Sequence, residues 1–468
     1  MMHTWHRPRF VLAGTGSGVG KTTLTTGLLA LFRSRGLTVQ PFKIGPDYID
    51  PGFHSRAAGR NSYNLDTWLV PEDRLIPDFA ELSEGADLSV IEGVMGLFDG
   101  GRGGISSTAD IAKKLSAPVI LVLNCQSVGT SAAAEALGFF TYDREVHMAG
   151  VILNRLGSDT HEAMIREAMA SIHIPVLGAL HREEGLKTPE RHLGLTPVTE
   201  TDTTGLIRHM KEAAERSVDE DALLKIARSA PDLPVSADPP VHDSWPVRIG
   251  VAEDEAFSFY YPASLKALER LGAELIPFSP LRDRSVPDAD GLIFGGGFPE
   301  MFLDRLSENR LMENSIRSAA AAGMPVYAEC GGLMYLCRTI RDFEGKIYKM
   351  AGIVPADCVM GHHLQRVGYV MAEAAVPHIL GQAGDRLKGH EFHFSLLEGQ
   401  GENFPYAYRL QGTRQAAPHN EGYAKGNILA TYLHLSFEGN PGAARHFLSV
   451  CMTYKEGRHD GSKRTCSD

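Results

Sequence analysis

Two short stretches of this sequence hold residue types whose order could do chemistry. The first is Gly14-Thr15-Gly16-Ser17-Gly18-Val19-Gly20-Lys21-Thr22. Its glycines free the backbone to curl, so that successive N–H groups converge on an anion. Lys21 adds a positive charge, and the Thr22 hydroxyl can ligate a divalent cation. Together they read as a phosphate-binding loop, with Gly16, Ser17, Gly18, Val19, Gly20, Lys21, Thr22 and Thr23 as the nucleotide-binding residues. The loop opens at Gly14, one residue earlier than in the common Gly-x-x-x-x-Gly-Lys form. The second stretch is Glu329-Cys330-Gly331-Gly332. A cysteine between an apolar strand and an apolar helix, followed by glycines, has the pattern of a nucleophile elbow. The helix N-terminus behind it is expected to lower the thiol pKa.

Both stretches need partners from elsewhere in the chain. Asp47 and Glu92 are the candidates to complete a magnesium shell with Thr22. Glu92 follows the apolar run Leu88–Ile91, and a carboxylate at the C-terminal end of a parallel strand points into the ligand crevice. For Cys330 the chosen general base is His434, which closes the apolar run Ala430-Thr-Tyr-Leu. The chain has 19 histidines, and His390 and His393 are its rivals for that role. Gly295-Gly296-Gly297 follows another short strand. The backbone N–H groups of Gly297 and Gly331 are the candidate oxyanion hole.

The elements that must position these groups are legible in the apolar pattern. Arg9–Ala13 reads as a buried strand and Thr22–Arg33 as a helix. Further apolar runs at Leu88–Ile91, Val119–Leu123 and Gly150–Leu153 alternate with helix-like stretches, which predicts a parallel sheet covered on both faces. Ser229–Pro246 is rich in proline and small polar residues and reads as a linker. The strand–helix pattern then restarts at Val247. The expected fold is α/β with two domains, each a mostly parallel sheet covered by helices. The expected boundaries are 1–228, a linker at 229–246, 247–454, and a frayed polar tail at 455–468.

Composition narrows the class. A chain of 468 residues suits two or three domains. A formal net charge of -11 gives nucleic-acid binding no electrostatic support. The 6 cysteines include no CxxC pair, so neither a zinc site nor a disulfide framework is expected, and a reducing cytoplasm is the simplest setting. No signal peptide and no membrane span is expected.

With these residues in hand, two resemblances can be stated. The long loop, Lys43 and Glu92-Gly93 resemble the dethiobiotin-synthetase-like branch of P-loop enzymes, which activate a carboxylate with ATP. Gly16 stands where the related partition ATPases carry an extra lysine, which counts against that branch. Asn154 resembles the asparagine that reads adenine in dethiobiotin synthetases. The second half resembles the class I glutamine amidotransferases: strand, Gly-Gly-Gly, Cys-Gly-Gly, late histidine. Most of that class carry a glutamate two residues after the histidine. Ser436 stands there, as in the cobyrinate and cobyrate branch, and leaves Glu391 or a backbone carbonyl to orient His434.

From the phosphate loop to about Met452 the chain resembles the cobyrinic acid a,c-diamide synthase family. The supporting segments are Lys43 to His54, Asn64-Leu-Asp66, Glu92 to Gly100, and Gly389-His-Glu-Phe-His393. The resemblance implies ATP and Mg2+ at the first site and L-glutamine at the second. Ammonia released at Cys330 would pass internally to a phosphorylated carboxylate of a tetrapyrrole acid. Cobyrinic acid is the first choice; sirohydrochlorin, its nickel form or siroheme are the sister alternatives. Lys43, Tyr48, Asp50 and His54 flank the implied acid pocket, with Arg102 nearby. No nucleic acid or membrane partner is implied, and a homodimer is the expected assembly.

Overall fold

The computed structural model describes residues 2–183, 185, 190–191, 194–195, 203–236, 244–413 and 417–464. The chain forms two compact units, residues 1–239 and 240–468.

The first unit is built on seven parallel strands. Their order across the sheet is Tyr63–Leu65, Val39–Ile44, Leu88–Glu92, Arg9–Gly14, Val119–Asn124, Met148–Leu156 and Val176–His181. Arg9–Gly14 is central and buried at every residue, as an unbroken apolar run in a two-sided sheet requires. Its side chains alternate between two cores. Phe10 and Leu12 pack with Leu24, Leu28 and Phe32 of the helix Lys21–Ser34. Val11 and Ala13 join Phe42, Ile91 and Leu121 on the other face. The phosphate loop therefore leaves the middle of the sheet, held by packing on both sides.

The stretch expected to be a linker is partly strand. Leu233–Ser236 pairs antiparallel with Met2–Trp5, so the chain returns to the first unit after the last helix. Arg9 fixes that return: its buried guanidinium donates to the carbonyls of Pro231 and Arg7 at 2.8 Å each, and to Leu115 O at 2.8 Å. Proline-rich composition masks a strand whose pairing partner lies at the other end of the unit. Residues 237–243 of that stretch lie outside the described residues.

The second unit opens with five parallel strands in the order Glu274–Phe278, Arg248–Ala252, Gly291–Phe294, Val326–Glu329 and Ile428–Thr431. The same sheet continues antiparallel through His419–Lys425, Tyr406–Gly412, Arg366–Ala374, Arg386–His393 and His434–Leu435. Short reversals such as the one at Gly426 (φ 57°) build this half, so no helix has to cross the sheet. A four-stranded sheet of Ile347–Lys349, Cys337–Arg341, Val354–Met360 and Ser395–Glu398 follows the elbow helix. The polar tail is helical as far as Arg464, within the helix Pro441–Arg464. Polar contacts hold it: Lys455 Nζ donates to Pro246 O, and Arg458 donates to Asp288 Oδ1 and Ala289 O, both at 2.9 Å. Residues 465–468 lie outside the described residues. Among the described residues no helix is long and apolar enough to cross a membrane.

Candidate active sites

The phosphate loop joins the strand Arg9–Gly14 to the helix Lys21–Ser34. Gly18 and Gly20 take φ of 73° and 99°, where a side chain would be strained. A Cβ on Gly14 would stand 3.1 Å from Lys21 Nζ, so the bare backbone makes room for the ammonium. Open space lies over Gly16 and Gly18. Lys21 Nζ donates to Gly16 O at 2.9 Å and to Met95 O at 2.5 Å. Burial pulls its pKa down to about 8 against the attraction of Glu92. Desolvated and held by two carbonyls, this ammonium would gain by exchanging them for phosphate oxygens.

Beside the loop lies a buried charge network. Thr22 Oγ1 donates to Glu92 Oε1 at 2.8 Å and to Asp50 Oδ2 at 3.1 Å. Lys43 Nζ donates to the same two oxygens at 2.7 and 2.6 Å. His54 Nε2 lies 2.6 Å from Glu92 Oε2. Burial opposes charge on Glu92, but Lys43 and His54 outweigh it and hold this carboxyl well below its usual range. Burial, reinforced by the Asp47 carboxylate, pushes Asp50 well above its usual value. Glu92 and Asp50, which with Asp47 Oδ2 at 3.7 Å surround the Lys43 ammonium, are thus shifted in opposite directions. The oxygens of Thr22, Asp50 and Glu92 form a hard donor set suited to Mg2+.

Two expectations change here, and a third residue shows a partner in the loop. Asp47 is not the carboxylate on Thr22. Its Oδ1 accepts from the N–H groups of Ile49 and Asp50 at 2.8 and 3.2 Å, starting the helix Ile49–Ala58, and Asp50 on that helix reaches Thr22 instead. His54 does not line a substrate pocket: it is fully buried beneath Glu92 and braces it. Asn154 is half-buried beside the loop, donating to Val19 O at 2.8 Å and accepting from Arg155 N at 2.8 Å. A Cβ on Gly20 would collide with its amide, so Asn154 packs directly under the loop. Tyr48 is half-buried at the start of the same helix and Arg102 is exposed.

Two of the quoted segments act as clamps. Asn64 donates to the carbonyls of Gly45 and Asp47 at 2.8 Å each, pinning the turn that carries Asp47 to Asp50. Asp66 Oδ1 accepts from Trp68 N, Leu69 N and Ser106 Oγ, tying the loop beyond Gly100 to the next turn.

In the second unit three neighbouring parallel strands deliver the chemistry at their C-terminal ends, where α/β sheets place ligands. Gly291–Phe294 ends in Gly295-Gly296-Gly297, and Val326–Glu329 ends in Cys330. Ile428–Thr431 leads through Tyr432 and Leu433 to His434. Cys330 adopts φ 46° and ψ −100°, a sparsely populated conformation for a residue with a Cβ. Its N–H donates to Thr431 O at 2.7 Å, and Gly332 N donates to Gly295 O at 3.1 Å, so all three strand ends are stitched at the elbow. Gly297 has φ 157°, and a Cβ there would stand 2.1 Å from Ala256 O. A Cβ on Gly331 would stand 3.1 Å from Gly297 N, which brings the two expected oxyanion donors side by side. His434 Cε1 would be 3.0 Å from a Cβ on Gly296. The glycine run, the elbow and the histidine therefore meet.

The rivals of His434 serve other purposes. His390 stacks on His434 with ring centroids 4.9 Å apart, and its Nε2 meets the Tyr261 hydroxyl at 2.7 Å. Burial, and then His434, hold its pKa well below the usual value. His393 Nδ1 donates to Ser395 O at 2.8 Å while its ring stacks on Tyr432 at 3.9 Å. The expected lowering of the thiol pKa is not found. Burial, followed by Glu300, pushes the Cys330 thiol far up, and the Gly331 N–H only partly offsets this. A six-residue helix, Gly331–Leu336, carries too little dipole to win against full desolvation. Sequence reasoning also passed over Glu329. Its Oε2 lies 3.5 Å from His434 Nδ1, and its adjacency to Cys330 was the available signal.

Fold and geometry together define a class: a P-loop nucleotide-binding unit joined to a class I glutamine amidotransferase unit. Residues 10–195 match the CobQ/CobB/MinD/ParA nucleotide binding domain, and residues 248–442 match the CobB/CobQ-like glutamine amidotransferase domain. The chain is 44% identical over 459 residues to the cobyrinate a,c-diamide synthase of Dehalococcoides mccartyi (strain CBDB1), covering 96% of this chain and 99% of that one. Its identity to the same enzyme of Caldanaerobacter subterraneus subsp. tengcongensis is 42%, covering 95% and 98%. For Salmonella typhimurium the figures are 41%, 94% and 97%. The chain belongs to the cobyrinate a,c-diamide synthase family, whose members are glutamine-hydrolysing carbon–nitrogen ligases.

Proposed function

We propose that this protein amidates the a and c carboxylates of cobyrinic acid with ammonia drawn from glutamine, using Mg2+ and ATP to activate each carboxylate. The observation that carries the reading is continuous similarity to cobyrinate a,c-diamide synthases along nearly the whole chain, at 41 to 44% identity in the relatives named above. The two sites give it a mechanism.

At the second site Cys330 Sγ attacks the side-chain carbonyl of glutamine. His434 takes the thiol proton and returns it to the departing ammonia. The N–H groups of Gly297 and Gly331 bind the developing oxyanion. A resting thiol with a raised pKa fits this order, because the proton leaves only as the carbonyl is attacked. The thioester left on Cys330 is then hydrolysed, releasing glutamate.

At the first site a carboxylate is a poor acyl donor until one oxygen becomes a good leaving group. Phosphorylation from ATP does this. The loop residues Gly16 to Thr23 bind the phosphates, and Lys21 and Lys43 stabilise charge on the group in transfer. Thr22, Asp50 and Glu92 would hold Mg2+, which supplies further charge neutralisation when bound. Tyr48, which precedes the helix that carries Asp50, would contact the acid substrate. Ammonia then displaces phosphate to leave the amide. Ammonia is mostly protonated in neutral water, so supply inside the protein keeps it nucleophilic.

Mass spectrometry of purified protein with Mg-ATP, glutamine and cobyrinic acid tests the reading, with sirohydrochlorin in a parallel reaction. Two exchanges of OH for NH2 on cobyrinic acid are expected. Conversion of sirohydrochlorin alone would keep the mechanism and overturn the substrate. Neither conversion, with glutaminase intact, would overturn the acceptor class.

A further inference from the structure

A cysteine–histidine pair needs something to fix the imidazole, and the usual position for that carboxylate holds Ser436. Ser436 serves a turn instead. Its carbonyl accepts from Asn440 N and Nδ2, both at 2.9 Å, and its hydroxyl accepts from Gly439 N at 3.4 Å. Glu391 is engaged elsewhere, 3.2 Å from His419 Nε2 and 3.7 Å from His393 Nε2. One carboxylate does reach His434. Glu329 Oε2 lies 3.5 Å from its Nδ1, with the two side chains 11% and 2% exposed. The other oxygen of Glu329 is itself fixed, accepting from the Tyr327 hydroxyl and from Leu435 N at 3.4 Å.

We propose that Glu329 is the positioning carboxylate of the glutaminase site, holding the His434 imidazole from its Nδ1 side. The topology makes this possible for adjacent residues. Val326–Glu329 pairs in parallel with Ile428–Thr431, with Glu329 opposite Thr431, so His434 rises just past the strand end. The backbone turns sharply at Cys330, so the cysteine and the carboxylate before it leave the strand end in different directions. A proton held on Nδ1 leaves the Nε2 lone pair as the base. When Sγ attacks glutamine its proton passes to the imidazole. The Glu329 carboxylate then faces the imidazolium that forms. A formed N–H···O bond is about 2.9 Å, so the contact closes by roughly half an ångström at that moment, as catalytic hydrogen bonds of ligand-free sites commonly do. The third member of the triad is thus supplied by the strand that ends in the nucleophile.

This inference rests on the glutaminase reading of Cys330. The test uses the full-length protein with Glu329→Gln, measuring glutamine hydrolysis, inactivation by iodoacetamide, and amidation driven by ammonium chloride as a control on folding. The expected result is a kcat for glutamine lowered ~100-fold or more, with KM little changed and Cys330 alkylation slowed in step. Tyr327→Phe removes another partner of the same carboxylate and is expected to cost less than ~10-fold, because it leaves the His434 contact in place. Glutaminase of Glu329→Gln within ~3-fold of the parent would overturn the proposal. So would equal losses in Tyr327→Phe and Glu329→Gln with no further loss in the double variant, which would mean that the carboxylate only satisfies the tyrosine. If Glu329→Gln also loses ammonia-driven amidation, Glu329→Asp decides: a lowered kcat with KM kept supports the role, and an unchanged kcat overturns it. A parent enzyme without glutaminase activity would instead sink the amidotransferase reading itself.

Discussion

The two sites hold reactive groups ready in opposite ways. In the first unit Lys21, Lys43, Asp50 and Glu92 are all charged or proton-sharing, and they bind one another or nearby backbone while buried. Such a network is adjustable, because an incoming polyphosphate and cation can exchange partners with it. In the second unit the proposed nucleophile is a thiol whose pKa burial pushes up, at a strained turn fixed by hydrogen bonds among three strand ends. Its geometry comes from the backbone. Electrostatics prepares one site and covalent geometry the other.

Substitutions can break this contrast, beginning with the largest effect. Cys330→Ala should abolish glutamine-driven amidation while high ammonium still supports it, read as amide formation with each nitrogen source. Losing both would show that the sites are not separable. Lys21→Ala should lower amidation from either source by ~10³-fold, because phosphoryl charge stabilisation serves both. Surviving ammonia-driven activity would remove Lys21 from the phosphoryl role. Gly297→Ala places a methyl 2.1 Å from Ala256 O and should cut glutaminase ~100-fold or more, with ammonia-driven amidation as the control.

Smaller effects sharpen the contrast. The Cys330 thiol is pushed up by burial, so below its pKa the thiolate fraction grows tenfold per pH unit. Iodoacetamide inactivation of the resting enzyme should therefore keep rising through about pH 10, the region where an ordinary thiol approaches full ionisation. A plateau near neutrality would mean a preformed thiolate. Last, the strain at Cys330 predicts that Cys330→Gly is more stable than Cys330→Ala by about 1 kcal/mol, read from thermal or denaturant unfolding of the full chain. Equal stabilities would mean that the turn relaxes once the thiol is gone.

Sequence alone determined the phosphate loop, the elbow and the restart of the α/β pattern after Ser229, because each depends on neighbours in the chain. Glycines before Lys21 and after Cys330, set between apolar runs of strand and helix period, leave few alternatives. His434 could be ranked but not separated from His390 and His393, since their burial and stacking are set by strand pairing. That Asp50 and not the expected Asp47 faces Thr22 follows from Asp47 accepting the N–H groups at the helix start. The strand Leu233–Ser236 needed a partner more than two hundred residues earlier, which no local pattern reports. The tertiary structure alone decided the direction in which the Cys330 thiol pKa shifts, which follows from desolvation rather than from the short helix behind it. It also decided the meeting of Glu329 with His434, because parallel pairing brings together residues that sequence holds a hundred positions apart.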